Sequence, residues 1–196
     1  MISQQEKQSK FQAFLKDYRQ EIKFVLIFTI GLIVSFKLVY NEKVAENVIL
    51  PITVAETYVA AKVLGVIGFP NEQKGNLISS KDPATKYFRM EVRNNCNGIY
   101  ESIVFLMAFI AIQIPWWRKM GWMLVGLTLF HTVNQMRLVS LFIIGSNYSS
   151  ETFVFFHETF WNYALVIMTL GIFIFCAHQV SKSPLVETEP DGLPAK

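Results

Sequence analysis

The chain is poor in cysteine, with two among 196 residues, so the disulfide framework that staples many small secreted domains is excluded. It has no glycine-rich phosphate loop and no dinucleotide fingerprint, which removes nucleotide chemistry of those two kinds. Its Cys, His, Asp and Glu residues do not fall at ligand spacing, so neither a metal site nor a cofactor is expected. Charge is scarce as well. Only 17% of residues are charged, the net charge is +3 and the basic residues lie beside apolar segments, so a nucleic-acid partner is not expected. Internal repeats and low-complexity segments are absent. Apolar residues are abundant, at 52% of the chain with a positive mean hydropathy, and they place the lipid bilayer among its partners.

Residues 24–40, 99–114, 121–144 and 154–177 are mainly apolar, and each is near or above the length that carries a helix across the hydrocarbon. Residues 52–69 are apolar too, but they include Glu56 and Lys62 and read as an amphipathic helix lying in the interface. Between them and the second long window, Phe88, Met90 and Val92 alternate with Arg89, Glu91 and Arg93, the period of a half-buried strand. Together with residues 76–79 this predicts a small external β-hairpin. The expected fold is an all-α polytopic membrane protein with about four transmembrane helices, one interfacial helix and that hairpin.

Orientation follows from positive charge. Lys7, Lys10, Lys16, Arg19 and Lys23 precede the first span, and the turn between the second and third is Pro115-Trp116-Trp117-Arg118-Lys119, so both belong in the cytoplasm. Residues 1–23 are then a cytoplasmic segment, 24–180 the transmembrane domain with an external loop at about 41–97, and 181–196 a disordered cytoplasmic tail. No small-residue cleavage pattern follows the first span, which reads as an uncleaved anchor.

On this topology the two cysteines are about 30 Å apart on opposite faces, too far to pair within one chain. Cys176 lies among Phe and Ile at the cytoplasmic end and reads as a small buried hydrophobe. Cys96 lies where a strand ends and a helix begins, a position that favours a thiolate, and it becomes a candidate nucleophile if a base stands near. His157 supplies one, about 5 Å below the outer end of the last span. Arg137 lies about 10 Å below the outer end of its own span, and an arginine there costs roughly 2.5 to 3.5 kcal/mol unless it faces a wet cavity or a partner. The alternative is an arginine that snorkels to the headgroups.

Asn134 shares the face of Arg137 and either holds the guanidinium, contacts substrate or makes an ordinary interhelical hydrogen bond. His131 lies deeper, turned about 120° from Arg137, and reads as an interhelical hydrogen-bonding residue. Ligation of a haem by the histidines is disfavoured, because His131 and His157 differ by about 15 Å in depth and His178 lies at the cytoplasmic end. Ser102 and Ser140 have no serine-nucleophile motif around them.

Cys96-Asn97-Gly98, Asn134-Gln135-Met136-Arg137-Leu138 and Phe156-His157, each at the outer end of a helix, resemble the Cys, Arg and His blocks of the exosortase/archaeosortase superfamily. The resemblance covers roughly residues 85–180, and the Asn-Cys-Asn-Gly form points to the exosortase H type. Many relatives have Cys-Ser-Gly where this chain has Cys96-Asn97-Gly98. The resemblance implies a cysteine transpeptidase or thiol protease of the cell inner membrane. Its partners would be exported proteins bearing a carboxyl-terminal sorting signal made of a motif, a transmembrane helix and a basic cluster. It further implies Cys96 as nucleophile, His157 as acid/base and Arg137 as oxyanion stabiliser, at the periplasmic face. A non-catalytic transport or assembly component, using Arg137 and His157 in an ion path, is the alternative.

Overall fold

A computed structural model describes residues 16–182 apart from 84 and 95. The expected tail at 181–196 falls almost wholly outside the described residues, as does most of the amino-terminal segment.

The first helix, α1 (Arg19–Val39), starts ahead of its apolar window because Glu21 sits favourably in its first turn, where a carboxylate complements the helix dipole. Asn41 then opens α2 (Glu42–Val66), its side chain accepting from the Lys43 N–H at 3.1 Å. Residues Ala45–Ile49 of α2 are π-helical. Leu50 donates five residues back to the Ala45 carbonyl, and the following Pro51 has no N–H to donate, so the wider turn accommodates the missing ladder bond.

A three-stranded antiparallel sheet follows, in the order β1 (Asn71–Lys74), β2 (Leu77–Ser80) and β3 (Arg89–Glu91). It is one strand larger than the expected hairpin. Lys74 pairs with Leu77 across Gly75-Asn76, and Gly75 takes the positive φ of +59° that such a two-residue turn needs. The remaining elements are α3 (Ile99–Ala111), α4 (Trp116–Asn147) and α5 (Ser150–Lys182). Ser149 caps α5 by accepting from the Thr152 N–H at 3.2 Å.

Among the described residues four helices are long and apolar enough to cross a membrane, namely α1, α2, α4 and α5. The number matches expectation but the membership differs. The segment expected to lie in the interface begins earlier, at Glu42, and reaches 25 residues, whereas α3 has only 13. Its path nevertheless differs from that of a returning span. The carboxyl end of α1 meets the start of α3, where Phe36 and Tyr40 pack on Tyr100, and the start of α1 meets the end of α3, where Gln113 donates to the Gln20 carbonyl. Helix α2 departs from the Tyr100 end. It first meets α4 at His131 and Gln135, and its later residues Ala60, Ala61 and Leu64 share a buried cluster with Leu138, Leu141 and Phe142. It therefore climbs α4 toward the sheet and does not return to the 115–119 turn.

That turn ties two helix ends together. Lys119, 5% exposed, donates from Nζ to the carbonyls of Phe109, Ile110 and Ile112 at the end of α3, while Arg118 donates to the Val180 carbonyl at the end of α5. Cations at these carboxyl ends satisfy orphan carbonyls and oppose the negative end of each dipole. Nearby, Phe105, Phe109, Cys176 and Val180 form one buried cluster. A second cluster, at the sheet end, joins Cys96 to Ile78, Met90, Val92 and Leu138. The two cysteines thus lie at opposite ends of the bundle, as the sequence indicates.

Candidate active site

The Cys96 segment is fixed by its neighbours before any catalytic group is considered. Gly98 adopts φ +74°, and a Cβ there would stand 2.8 Å from the Phe130 ring, so glycine is required by both conformation and space. Asn97 is fully buried. Its Oδ1 accepts from the Ile99 N–H at 3.0 Å at the start of α3, and its Nδ2 donates to Thr53 Oγ1 of α2 at 2.7 Å. Asn134 of α4 donates from Nδ2 to the Cys96 carbonyl at 3.3 Å, and Cys96 donates its own N–H to Arg93 at 2.7 Å. Helices α2 and α4 and the segment leading from β3 therefore grip one short loop.

Onto this loop α4 and α5 bring the other two groups. Cys96 Sγ lies 3.3 Å from His157 Nε2, and Arg137 directs an NH2 group to the same sulfur at 3.9 Å. His157 lies within a π-helical turn of α5, Phe155–Phe160, a feature frequent at functional sites and one that rotates the side chains following it. Its imidazole stacks on Phe153 with ring centroids 5.6 Å apart and planes 7° from parallel. Arg137, 2% exposed, is also held by Asn162 of α5, whose Oδ1 accepts from NH2 at 3.5 Å while its Nδ2 donates to the Glu158 carbonyl at 2.8 Å. A guanidinium so enclosed does not snorkel.

The electrostatics of the loop differ from the expectation of a ready thiolate. Cys96 lies before the first turn of α3 but is buried, and burial pushes its thiol above the ordinary range; the Arg137 charge acts in the opposite direction without overcoming it. Burial therefore favours the protonated form of the sulfur.

Cys96, Arg137 and His157, separated by up to 61 residues in sequence, thus meet at one point. Asn134 is fully buried against the loop and touches the Cys96 carbonyl, not the guanidinium. Thr53 and Asn162 are parts of the same assembly that the sequence does not single out, whereas Asn97 is named there only as a member of the Cys96 block; Asn162 had a signal, its position on the last span five residues after His157. His131 stays outside. Its Nδ1 lies 2.8 Å from Glu56 of α2 and its Nε2 3.2 Å from Ser102 of α3, an interhelical staple to which Gln135 adds a bond to the Glu56 carboxylate. Ser102 gives its own proton to the Gly98 carbonyl at 2.7 Å, so it is not primed as a nucleophile. Among the described residues no group of His, Cys, Asp and Glu is arranged to hold a metal ion.

A cavity of about 320 Å³ opens onto Cys96 and His157, lined by β3 and by Leu138, Leu141 and Phe153. No curated protein and no solved structure matches the chain. The family model described as transmembrane exosortase (Exosortase_EpsH) matches residues 20–176, a stretch that holds all five helices' cores, the sheet and the Cys96, Arg137 and His157 cluster. The chain belongs to the transmembrane exosortase family.

Proposed function

We propose that the protein is a membrane-embedded cysteine transpeptidase or protease of the exosortase H type, which cleaves the carboxyl-terminal sorting signal of exported proteins at the outer face of the inner membrane. The observation that carries this reading is the 3.3 Å approach of Cys96 Sγ to His157 Nε2 beneath the Arg137 guanidinium.

In this mechanism His157 Nε2 takes the thiol proton as the sulfur adds to the scissile carbonyl carbon. The negative charge passes to the carbonyl oxygen. The Cys96 N–H is already donated to Arg93, which supports Arg137 as the donor to that oxyanion. Collapse breaks the C–N bond, and the imidazolium returns its proton to the leaving amine, which stays with the membrane anchor. The product on the enzyme is a thioester between Cys96 and the exported chain. Water or an amine then adds to the thioester, with His157 accepting its proton, and the sulfur leaves to recover the thiol.

The test is mass spectrometry of a secreted reporter fused to a sorting signal from the same genome and co-expressed with the full chain. A new carboxyl terminus ahead of the transmembrane segment, lost in Cys96→Ala and kept in Cys176→Ala, is expected. Its mass distinguishes hydrolysis from transfer. Processing that survives Cys96→Ala eliminates the covalent route and leaves a transport or assembly role.

A further inference from the structure

The sheet beside Cys96 has an edge whose backbone hydrogen-bonding groups have no strand partner among the described residues. In the β2–β3 ladder the residues that exchange backbone bonds are fixed by the Ser80 N–H donating to the Phe88 carbonyl at 2.8 Å and the Val92 N–H donating to the Asn76 carbonyl at 2.8 Å. With Ile78 opposite Met90, the bonded set is Phe88, Met90 and Val92. The alternate residues, Arg89 and Glu91, therefore direct their N–H and C=O groups away from β2, and β3 is the last strand of the sheet. The next residue in that phase, Arg93, gives its carbonyl to the Cys96 N–H. The open edge thus ends at the nucleophile itself.

This edge is one wall of the 320 Å³ cavity, and the cavity follows the strand from Phe88 to Arg93 before reaching Cys96 and His157. Leu138, Leu141 and Phe153 complete the lining of this slot, while Met90 and Val92 of the same strand segment pack into the buried cluster with Leu138 and Leu141. A strand rises about 3.3 Å per residue, so a few residues of extended chain fill the slot. Glu91 is neutralised by Arg93 at 2.8 Å, which also holds its carboxyl below the usual range, while Arg89 remains on the rim and adds positive charge. The slot thus suits a neutral or acidic segment over a basic one.

We propose that the exported substrate docks as a fourth strand: the extended segment ahead of its membrane anchor pairs with the Arg89 and Glu91 backbone of β3 and delivers its scissile bond to Cys96. This rests on the proposed peptide-bond chemistry and adds the mode of recognition to it. An edge of this kind gives affinity through main-chain bonds, and alternate side chains reach the slot. Selectivity then comes from the residues that face Leu138, Leu141 and Phe153.

The test uses the full chain in lipid nanodiscs and an acetylated tetra-alanyl chloromethyl ketone, which alkylates a cysteine at the end of an extended peptide. The rate of Cys96 alkylation is divided by the rate with iodoacetamide, so that changes in thiol reactivity cancel. Single backbone N-methylation at each alanine in turn should lower this ratio about tenfold at alternate positions and about twofold or less between them, because only alternate N–H groups face the edge. Glu91→Pro should lower the ratio further than Glu91→Ala, since only proline removes the N–H. A ratio that is flat or uniformly lowered along the methyl scan overturns the proposal, as does a peptide reagent no faster than chloroacetamide. Its failure is separable from failure of the enzyme reading: a reporter processed through Cys96 with no alternation in the scan leaves the chemistry standing and removes only the docking mode.

Discussion

Arg137 is a buried cation whose guanidinium reaches the Cys96 sulfur at 3.9 Å. If its directed N–H groups stabilise an oxyanion, Arg137→Lys keeps the charge but loses the planar fork, and reporter processing should fall about tenfold. Arg137→Gln should fall on the order of a hundredfold to a thousandfold. Equal processing by all three proteins at matched membrane levels removes the residue from the chemistry. The same charge lowers the Cys96 thiol against the larger upward effect of burial, so the pH dependence has a defined sign. Iodoacetamide labelling of Cys96 should rise with pH through a midpoint above that of an ordinary thiol, and Arg137→Gln should move the midpoint higher still. A midpoint that moves down in the variant contradicts the arrangement. The grouping of Cys96, Arg137 and His157 was legible in the sequence because Arg137 and His157 are rare types in apolar stretches and Cys96 lies where a helix begins. The link between Asn97 and Thr53 was not, since an asparagine before a helix and a threonine within one are ordinary in any sequence, and only the 2.7 Å bond between them shows what they hold.

The helices and strands add constraints that no single side chain supplies. Gly98 lies between the Cys96 loop and α3 with a positive φ and the Phe130 ring against it. Gly98→Ala should cost about 1 to 2 kcal/mol for the backbone alone, and the displaced loop should separate Cys96 from His157. Processing should drop more than tenfold while the protein still reaches the membrane; normal processing by this variant means the loop tolerates movement. At the other end of α3 the cap is Lys119. Lys119→Met leaves three carbonyls without their donor, costs roughly 1 to 3 kcal/mol and should lower the unfolding midpoint in detergent by several degrees. An unchanged midpoint shows that water replaces the ammonium. The basic turn was visible in the sequence as a topology signal, but its second use was not, because burial of a lysine depends on where the preceding helix stops. Strand β1 was missed for a related reason: Asn71–Lys74 contains no apolar residue, and the alternation that reveals β3 cannot appear there. The π-turn around His157 also leaves no mark in composition, and it sets which face of α5 the imidazole occupies.

The unequal helix lengths decide where the chemistry lies. At 1.5 Å per residue α3 is about 20 Å long and α4 about 48 Å, while a hydrocarbon core is about 30 Å thick. Cys96 lies at the upper end of the short helix, and Arg137 is ten residues, or about 15 Å, below the top of α4. The tips of α4 and α5 and the sheet therefore stand above the Cys96 site. This geometry suits a bond that must be cut where an anchor leaves the bilayer. It also requires α2 to stay on the sheet side, because α2 starts beside the top of α1 and delivers the chain to β1. Its length and apolar character alone would have it cross, so the two readings predict different sides for its ends. We expect single cysteines at Tyr40 and Val66, 74% and 87% exposed, to label together from the periplasm in a background lacking Cys96 and Cys176, and a cysteine at Trp117, 74% exposed, to label only from the cytoplasm. Labelling of the Tyr40 and Val66 positions from opposite sides makes α2 a true span. The sheet, and with it the approach to Cys96, would then face the wrong compartment for an exported substrate.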